Sequence, residues 1–241
     1  MRVLITGATG FVGRHLVNAF ILKGAEVSCL VRTPGQEEMF GKRTVETFYG
    51  QVTDPISLKH ICHNIDVLVH LVAIIREKGE FSFDFVNRQG TANIVAAAKE
   101  SNVNHFVHMS ALGSTSDQSY SYSYSKWQSE QEVVNSGIPY TILRPSVQFG
   151  EGDEFINTLS GLVSSLPIVP VAGSGHARFQ PVSVEDVSLC VVRVAAQPKY
   201  YGKTIDLGGP DILTYNEIID LIKETYRVKR LKAHIPIPIM R

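Results

Sequence analysis

Short apolar runs rich in β-branched residues alternate along the chain with longer segments whose apolar positions recur at helical spacing. The strand-like runs cover residues 2–6, 26–31, 45–49, 66–72, 104–109 and 139–143. Helical spacing covers 11–23, 55–62, 84–101, 122–136, 153–165, 184–196 and 214–226. Strands alternating with helices predict an α/β fold, a doubly wound parallel sheet covered on both faces. The run 66–72 is apolar almost throughout, as a central parallel strand should be. Asp54-Pro55 supplies an N-cap and a first-turn proline for the segment that follows, and Thr214 with Glu217 forms a capping-box pattern.

After about residue 145 the texture changes: Gly150, Gly152, Pro167, Pro170, Gly173, Gly175 and Pro181 crowd in, and strand-like runs become short. This predicts a core over 1–145 and a smaller C-terminal substrate lobe over 146–241, interwoven with the core and closing over a ligand. The chain finishes at Ile235-Pro-Ile-Pro-Ile-Met-Arg241, an apolar ending suited to docking on a protein or a membrane surface.

Composition narrows the function classes. Hydrophobic residues make up 44% and charged residues 19% of 241, as in an ordinary soluble domain. With 23 basic and 23 acidic side chains, nothing electrostatic points to a nucleic-acid partner. Met1-Arg2 runs straight into a strand pattern, which leaves no room for a signal peptide. The longest apolar run, Val67 to Ile75, contains His70 and is too short to be a transmembrane segment. Cys29, Cys62 and Cys190 lie far apart, so reduced thiols in a cytoplasmic setting are expected. His60 and His63 share a helical face but have no evident further ligand, so no metal is expected.

The chemistry concentrates in two places. Thr6-Gly7-Ala8-Thr9-Gly10-Phe11-Val12-Gly13 follows a strand and opens a helix. There Gly7 allows a tight turn, Gly10 lets backbone approach a pyrophosphate, and Gly13 lets the helix pack on the sheet. The helix N-terminus offers free N–H groups to the phosphates. Dinucleotide enzymes specific for NAD place an acid at the end of the second strand; here that end reads Leu30-Val31-Arg32. Arg32 suits a 2′-phosphate, with Arg14 close by, so NADP(H) is favoured over NAD(H). The second place is Tyr122-Ser-Tyr-Ser-Lys126, in which Tyr122 and Lys126 are neighbours on one helical face. An ammonium beside the phenol would lower its pKa from about 10 and make it a usable acid or base.

Together these residues resemble the short-chain dehydrogenase/reductase superfamily, in its extended and atypical branches, over nearly the whole chain. Within it the chain is similar to bacterial relatives of the nucleotide-binding accessory subunit of respiratory complex I. Thr6 to Gly13 resembles the family's TGxxGxxG, Asn87 with Gly90-Thr91 its Asn-x-x-Gly-Thr, and Arg144-Pro145 its Arg-Pro. Pro181 to Asp186 resembles the motif that begins a helix of the C-terminal lobe. The resemblance implies a Rossmann-type fold whose cofactor site draws on Gly7, Thr9, Gly10, Phe11, Val12, Gly13, Arg32, Gln51, Val52, Leu71, Val72, Ala73, Asn87, Lys126, Pro145 and Val147. It implies Tyr122, Lys126 and Ser110 as catalytic residues and Arg178 as a contact for substrate phosphates.

The chain departs from that pattern in three ways. The usual catalytic Ser or Thr position falls on Ala111, with Ser110 one residue early, and one residue reverses direction on a strand. Gln51 stands where an adenine-binding Asp is usual, and its amide can still bind the adenine amino group. Leu112-Gly113-Ser114 lacks the acidic pair of sugar dehydratases, which argues against a 4,6-dehydratase. The expected function is NADP(H)-dependent hydride transfer to or from a carbonyl or quinone-like small molecule. A non-catalytic NADP(H)-binding structural or sensing module and a nucleotide-sugar epimerase remain alternatives.

Overall fold

The computed structural model describes residues 1–41 and 43–236. In chain order the elements are β1 (Arg2–Thr6), α1 (Phe11–Leu22), β2 (Glu26–Val31), β3 (Val45–Tyr49), β4 (Val67–His70), α2 (Gly90–Glu100), β5 (His105–Met109), α3 (Ser121–Val134) and β6 (Tyr140–Pro145). There follow β7 (Gln148–Phe149), α4 (Phe155–Ser165), β8 (Ile168–Ala172), β9 (Arg178–Phe179), β10 (Val182–Ser183), α5 (Val184–Ala195), β11 (Lys203–Leu207), β12 (Leu213–Thr214), α6 (Tyr215–Thr225) and β13 (Leu231–Ile235). All but the first residue of the apolar C-terminal ending lies at or beyond the edge of the described residues, and the expectation attached to it falls outside them.

Seven strands form one parallel sheet in the order β11-β6-β5-β4-β1-β2-β3. Alternation along the strands supplies its two apolar faces. Leu4, Leu68, Phe106 and Ile142 pack with Ile94, Val95 and Ala98 of α2 and Val133 of α3 in one buried cluster. The opposite face carries Val3, Ile5, Val27, Cys29, Val69 and Val107, all buried. This is the doubly wound Rossmann-type α/β fold. The chain winds outward from β1 through β2 to β3, then crosses to β4 on the other side of β1. The reversal puts the ends of β1 and β4 side by side, where the Leu71 N–H donates to the Thr6 carbonyl at 3.1 Å. Such a switch point is where ligands bind in this architecture.

The chain divides into two compact units, Met1–Pro145 with Glu185–Leu207, and Ser146–Val184 with the residues from Gly208 onward. The segment 185–207 therefore groups with the core, to which it adds α5 and the seventh strand, β11. The second unit is centred on Leu159 and Val163 of α4, Val169 and Val171 of β8, and Ile218, Ile219 and Ile222 of α6. Its helix α6 starts with the expected capping box: the Thr214 hydroxyl accepts from the Glu217 N–H at 3.2 Å, and Glu217 accepts from the Thr214 N–H at 2.7 Å.

Two expected helices differ. The segment expected at 55–62 is only a short 3-10 turn, Pro55–Leu58, with Asp54 accepting the Ile56 N–H at 3.0 Å. It stops because His60 (φ 67°) and Asn64 (φ 61°) take left-handed conformations that no α-helix continues through. The helix expected from 84 opens instead as a wide π-type segment, Asp84–Gln89, and becomes α2 at Gly90. Such segments recur at functional sites, and this one carries Asn87.

Candidate active site

The turn after β1 has the geometry that its glycines require. Gly7 has φ +78°, and a Cβ there would sit 3.2 Å from the backbone of Leu71 and Val72. At Gly13 a Cβ would overlap the Gly7 carbonyl oxygen and lie 2.6 Å from Ala8. The Gly10 N–H closes the turn on the Gly7 carbonyl at 3.0 Å. No side chain caps α1 and no acid occupies its first turn, so its leading N–H groups face an electrostatically open approach.

Beside this turn lies a cleft of about 390 Å³. Gly7, Thr9, Gly10, Arg32, Gln51, Val52, Leu71, Val72 and Ala73 all line it, so nine of the sequence-derived cofactor residues meet in one place. Phe11, Val12 and Gly13 continue from them into α1. Leu30, Gln36, Ile74, Arg76, Lys78 and Phe81 join the lining, and among the described residues no Asp or Glu does. Arg76, Lys78 and Phe81 escaped the sequence reading. The signal was the pair of basic residues, Arg76 and Lys78, placed a few positions after a central strand.

Asn87 stands behind this wall. Its Oδ1 accepts the Ile74 N–H at 2.8 Å, and its Nδ2 donates to the Ile74 carbonyl at 3.2 Å and to the Ser125 hydroxyl at 3.0 Å. It thereby ties the segment after β4 to α3. Asn87, expected at the cofactor, is not among the residues that line the cleft.

On α3, Lys126 is buried and donates from Nζ to the Met109 carbonyl at 2.8 Å. Burial pushes its amine down to about 8, against the pull of Glu130. The Tyr122 ring meets Phe83 edge-on, with centroids 5.7 Å apart. The expectation that Lys126 depresses the Tyr122 pKa is reversed: burial raises it, because removing water disfavours phenolate. Tyr122 is therefore a protonated acid at neutral pH.

Ser110 is drawn away from the role expected of it. Its hydroxyl donates to Glu130 Oε1 at 2.5 Å and shares a 2.9 Å bond with the Ser114 hydroxyl. Glu130, one helical turn past Lys126 and buried, also receives a two-pronged bond from Arg144: Nε to Oε1 at 2.8 Å and Nη2 to Oε2 at 2.6 Å. Sequence reading passed over Glu130; its spacing of four from Lys126 was the available signal. Replacing it with Ala strands Arg144 and Ser110, and the expected cost is about 3 kcal/mol of stability in urea unfolding.

Pro145 ends β6, and its carbonyl accepts the Leu112 N–H at 2.9 Å. Val147 and Arg178 belong to the second unit. The Val147 carbonyl accepts the Val182 N–H at 3.0 Å. Arg178 is exposed on β9, next to Glu217, whose carboxyl is held below its usual range by the Thr214 N–H and hydroxyl, with a smaller contribution from Arg178. Among the described residues no cluster of His, Cys, Asp or Glu is placed to hold a metal, and no helix is long and apolar enough to cross a membrane.

Known proteins resemble this chain in sequence and in fold. The chain is 29% identical over 98% of its length to an Arabidopsis thaliana protein, NADH dehydrogenase [ubiquinone] 1 alpha subcomplex subunit 9, mitochondrial, and covers 61% of it. It is 30% identical to a ceramide reductase of Caulobacter vibrioides, with 81% of this chain and 61% of that one aligned. The chain thus spans about three-fifths of the length of these relatives. Among solved structures, a Thermus thermophilus UDP-glucose 4-epimerase in complex with NAD superposes with a TM-score of 0.81 at 18% identity, covering 98% of this chain and 86% of that one. With its residues 3–208 matching the family description, the chain belongs to the NAD dependent epimerase/dehydratase family.

Proposed function

We propose that this chain is an NADP(H)-dependent oxidoreductase that reduces a carbonyl or quinone-like small molecule. The observation that carries the reading is the charge of the cleft: Arg32, Arg76 and Lys78 line it without any carboxylate. An acid at the end of the second strand would repel a 2′-phosphate and bind a bare ribose, whereas Arg32 does the opposite. The glycine turn leaves room for a pyrophosphate against the backbone, so the residues present fit a nicotinamide dinucleotide. When bound, the nicotinamide supplies the hydride. Tyr122, held protonated by burial, donates the proton to the carbonyl oxygen, and Lys126 anchors the ribose hydroxyls with the amine protons that Met109 leaves free. The Caulobacter relative is named for reduction of a ceramide, in keeping with an apolar substrate. Free cysteines, Cys29, Cys62 and Cys190, fit a reducing compartment such as the cytoplasm.

Parallel calorimetric titrations with NADPH and NADH test the cofactor assignment. Arg32→Ala is expected to weaken NADPH about tenfold and to change NADH less than about twofold. Wild-type protein that binds NADH as tightly as NADPH would overturn the assignment.

A second reading, a non-catalytic NADP(H)-binding module, is favoured by one observation. The Ser110 hydroxyl is held by Glu130 and Ser114, so Tyr122 lacks the companion donor that the family uses.

A further inference from the structure

The cleft sorts charge more sharply than the sequence around it does. Two loops supply its cations: the one after β2, with Arg32, and the turn after β4, with Arg76 and Lys78. Each loop also carries acids, and on each an acid is turned to another task. Glu37 accepts from the Gly35 N–H and from the Tyr49 hydroxyl, both at 2.8 Å. Glu77, which separates Arg76 from Lys78 in sequence, accepts the Phe83 N–H at 2.7 Å. Neither glutamate lines the cleft. Among the described residues, the side chains of Arg32, Arg76 and Lys78 have no hydrogen-bond or ion-pair partner. Three unpaired cations around one small cleft exceed what the two charges of a pyrophosphate require, given that the α1 N-terminus already serves that group.

The turn that bears Arg76 and Lys78 is also built in advance. Asn87 grips both backbone groups of Ile74 at its start. Further on, Lys78 and Phe81 exchange backbone hydrogen bonds of 3.1 Å in each direction, closed by Gly79 at φ +58°. The two basic side chains are thus held at the rim on a fixed scaffold, which lowers the entropy lost on binding.

We propose that Arg76 and Lys78 act with Arg32 as specificity-determining residues that read an additional phosphate on the adenosine half of the nucleotide. The inference rests on the NADP(H) reading of the same cleft. Its location follows from the fold: the end of β2 is where the adenosine ribose lies, and the turn after β4 lines that same cavity.

The test compares adenosine 2′,5′-bisphosphate with adenosine 5′-monophosphate, which differ only in the 2′-phosphate. Both are titrated calorimetrically into the whole chain as wild type, R32Q and the double variant R76Q/K78Q. All three side chains are exposed, so folding should be unaffected, and circular dichroism verifies it. The wild type is expected to prefer the bisphosphate by about tenfold or more. R76Q/K78Q is expected to reduce that preference about tenfold by weakening the bisphosphate alone. An unchanged preference in R76Q/K78Q, with loss of it in R32Q, overturns this assignment and leaves the NADP(H) reading standing. Equal weakening of both ligands in the double variant overturns it too, because the side chains would then serve the shared 5′-phosphate. A wild type indifferent to the 2′-phosphate sinks the NADP(H) reading and this inference together.

Discussion

Tyr122→Phe is expected to lower carbonyl-dependent NADPH oxidation by about 10²- to 10⁴-fold while leaving NADPH affinity within about twofold. The substitution deletes one hydroxyl and nothing else. That hydroxyl has no hydrogen-bond partner among the described residues, and the ring keeps its edge-on contact with Phe83. Stability should therefore change by no more than about 0.5 kcal/mol, which separates a chemical loss from a folding loss. The raised pKa of Tyr122 keeps its phenol protonated at neutral pH, the form that reduction needs. A phenol that stays protonated donates to a developing alkoxide, so reduction should proceed without a prior deprotonation step. Lys126 sets the alkaline limit. Its amine loses charge as pH rises through about 8, and with it goes the cationic anchor for the ribose. Reductive turnover should decline above that pH, and Lys126→Met should be slow at every pH with a raised NADPH Kd. A Tyr122→Phe variant as active as wild type would remove the catalytic reading. Absence of carbonyl-dependent turnover in the wild type, with NADPH binding retained, would select the non-catalytic module.

The parts of this site that were legible in the sequence are those governed by local rules. A glycine at φ +78° and another with no room for a Cβ are requirements of one short turn, so Gly7 and Gly13 announce themselves. The central strands of the core were legible for a related reason: a strand buried on both faces, as Val67–His70 is, must be apolar along its length. What stayed hidden depends on residues distant in sequence. Lys203–Leu207, the seventh strand, pairs with β6 across some sixty positions and reads burial only on alternate residues, so its pattern was too thin to stand out. Nothing in the stretch around Glu130 signals that Arg144 and Ser110 converge on it. Arg76 and Lys78 became meaningful only when the fold set them on the cavity that Arg32 also lines. The pKa of Tyr122 went the other way because a spacing of four residues predicts adjacency and says nothing about burial, and burial is the larger effect here.

Acidification below about pH 6.5 should destabilise the protein, by up to about 1.4 kcal/mol per pH unit for each of three histidines buried in the core sheet. His70, His105 and His108 are each 0% exposed. Burial pushes His70 down to about 3 and His105 to about 4, and carries His108 well below its ordinary value. The unfolded chain takes up protons on all three as pH falls through 6.5, while the native protein refuses them, His105 down to about 4 and His70 down to about 3. Stability is therefore complete above the unfolded value and is lost as pH falls across that window, at about 1.4 kcal/mol per proton and pH unit. Lys126 acts in a separate range. With a folded value of about 8 against 10.5 unfolded, it adds stability as pH rises between the two. The histidines differ in what their nitrogens do. His70 bonds the Thr6 hydroxyl at 2.7 Å and the Thr91 hydroxyl at 3.1 Å. His108 stacks on His70 at 5.5 Å near the Lys126 ammonium, and neither of its nitrogens has a partner among the described residues. Replacing it with an apolar residue of similar size removes two buried, unsatisfied polar atoms. His108→Leu is thus expected to gain about 1–3 kcal/mol at pH 8 and to reduce the acid slope from about three protons to two. His70→Leu should destabilise at pH 8 by about 1–3 kcal/mol, because it strips the Thr6 hydroxyl of its bond. Urea unfolding of both variants at pH 8 and pH 5 reads all four values. A His108→Leu protein that is less stable than wild type at pH 8 would show that the ring holds a polar partner in solution and would refute the assignment of the slope.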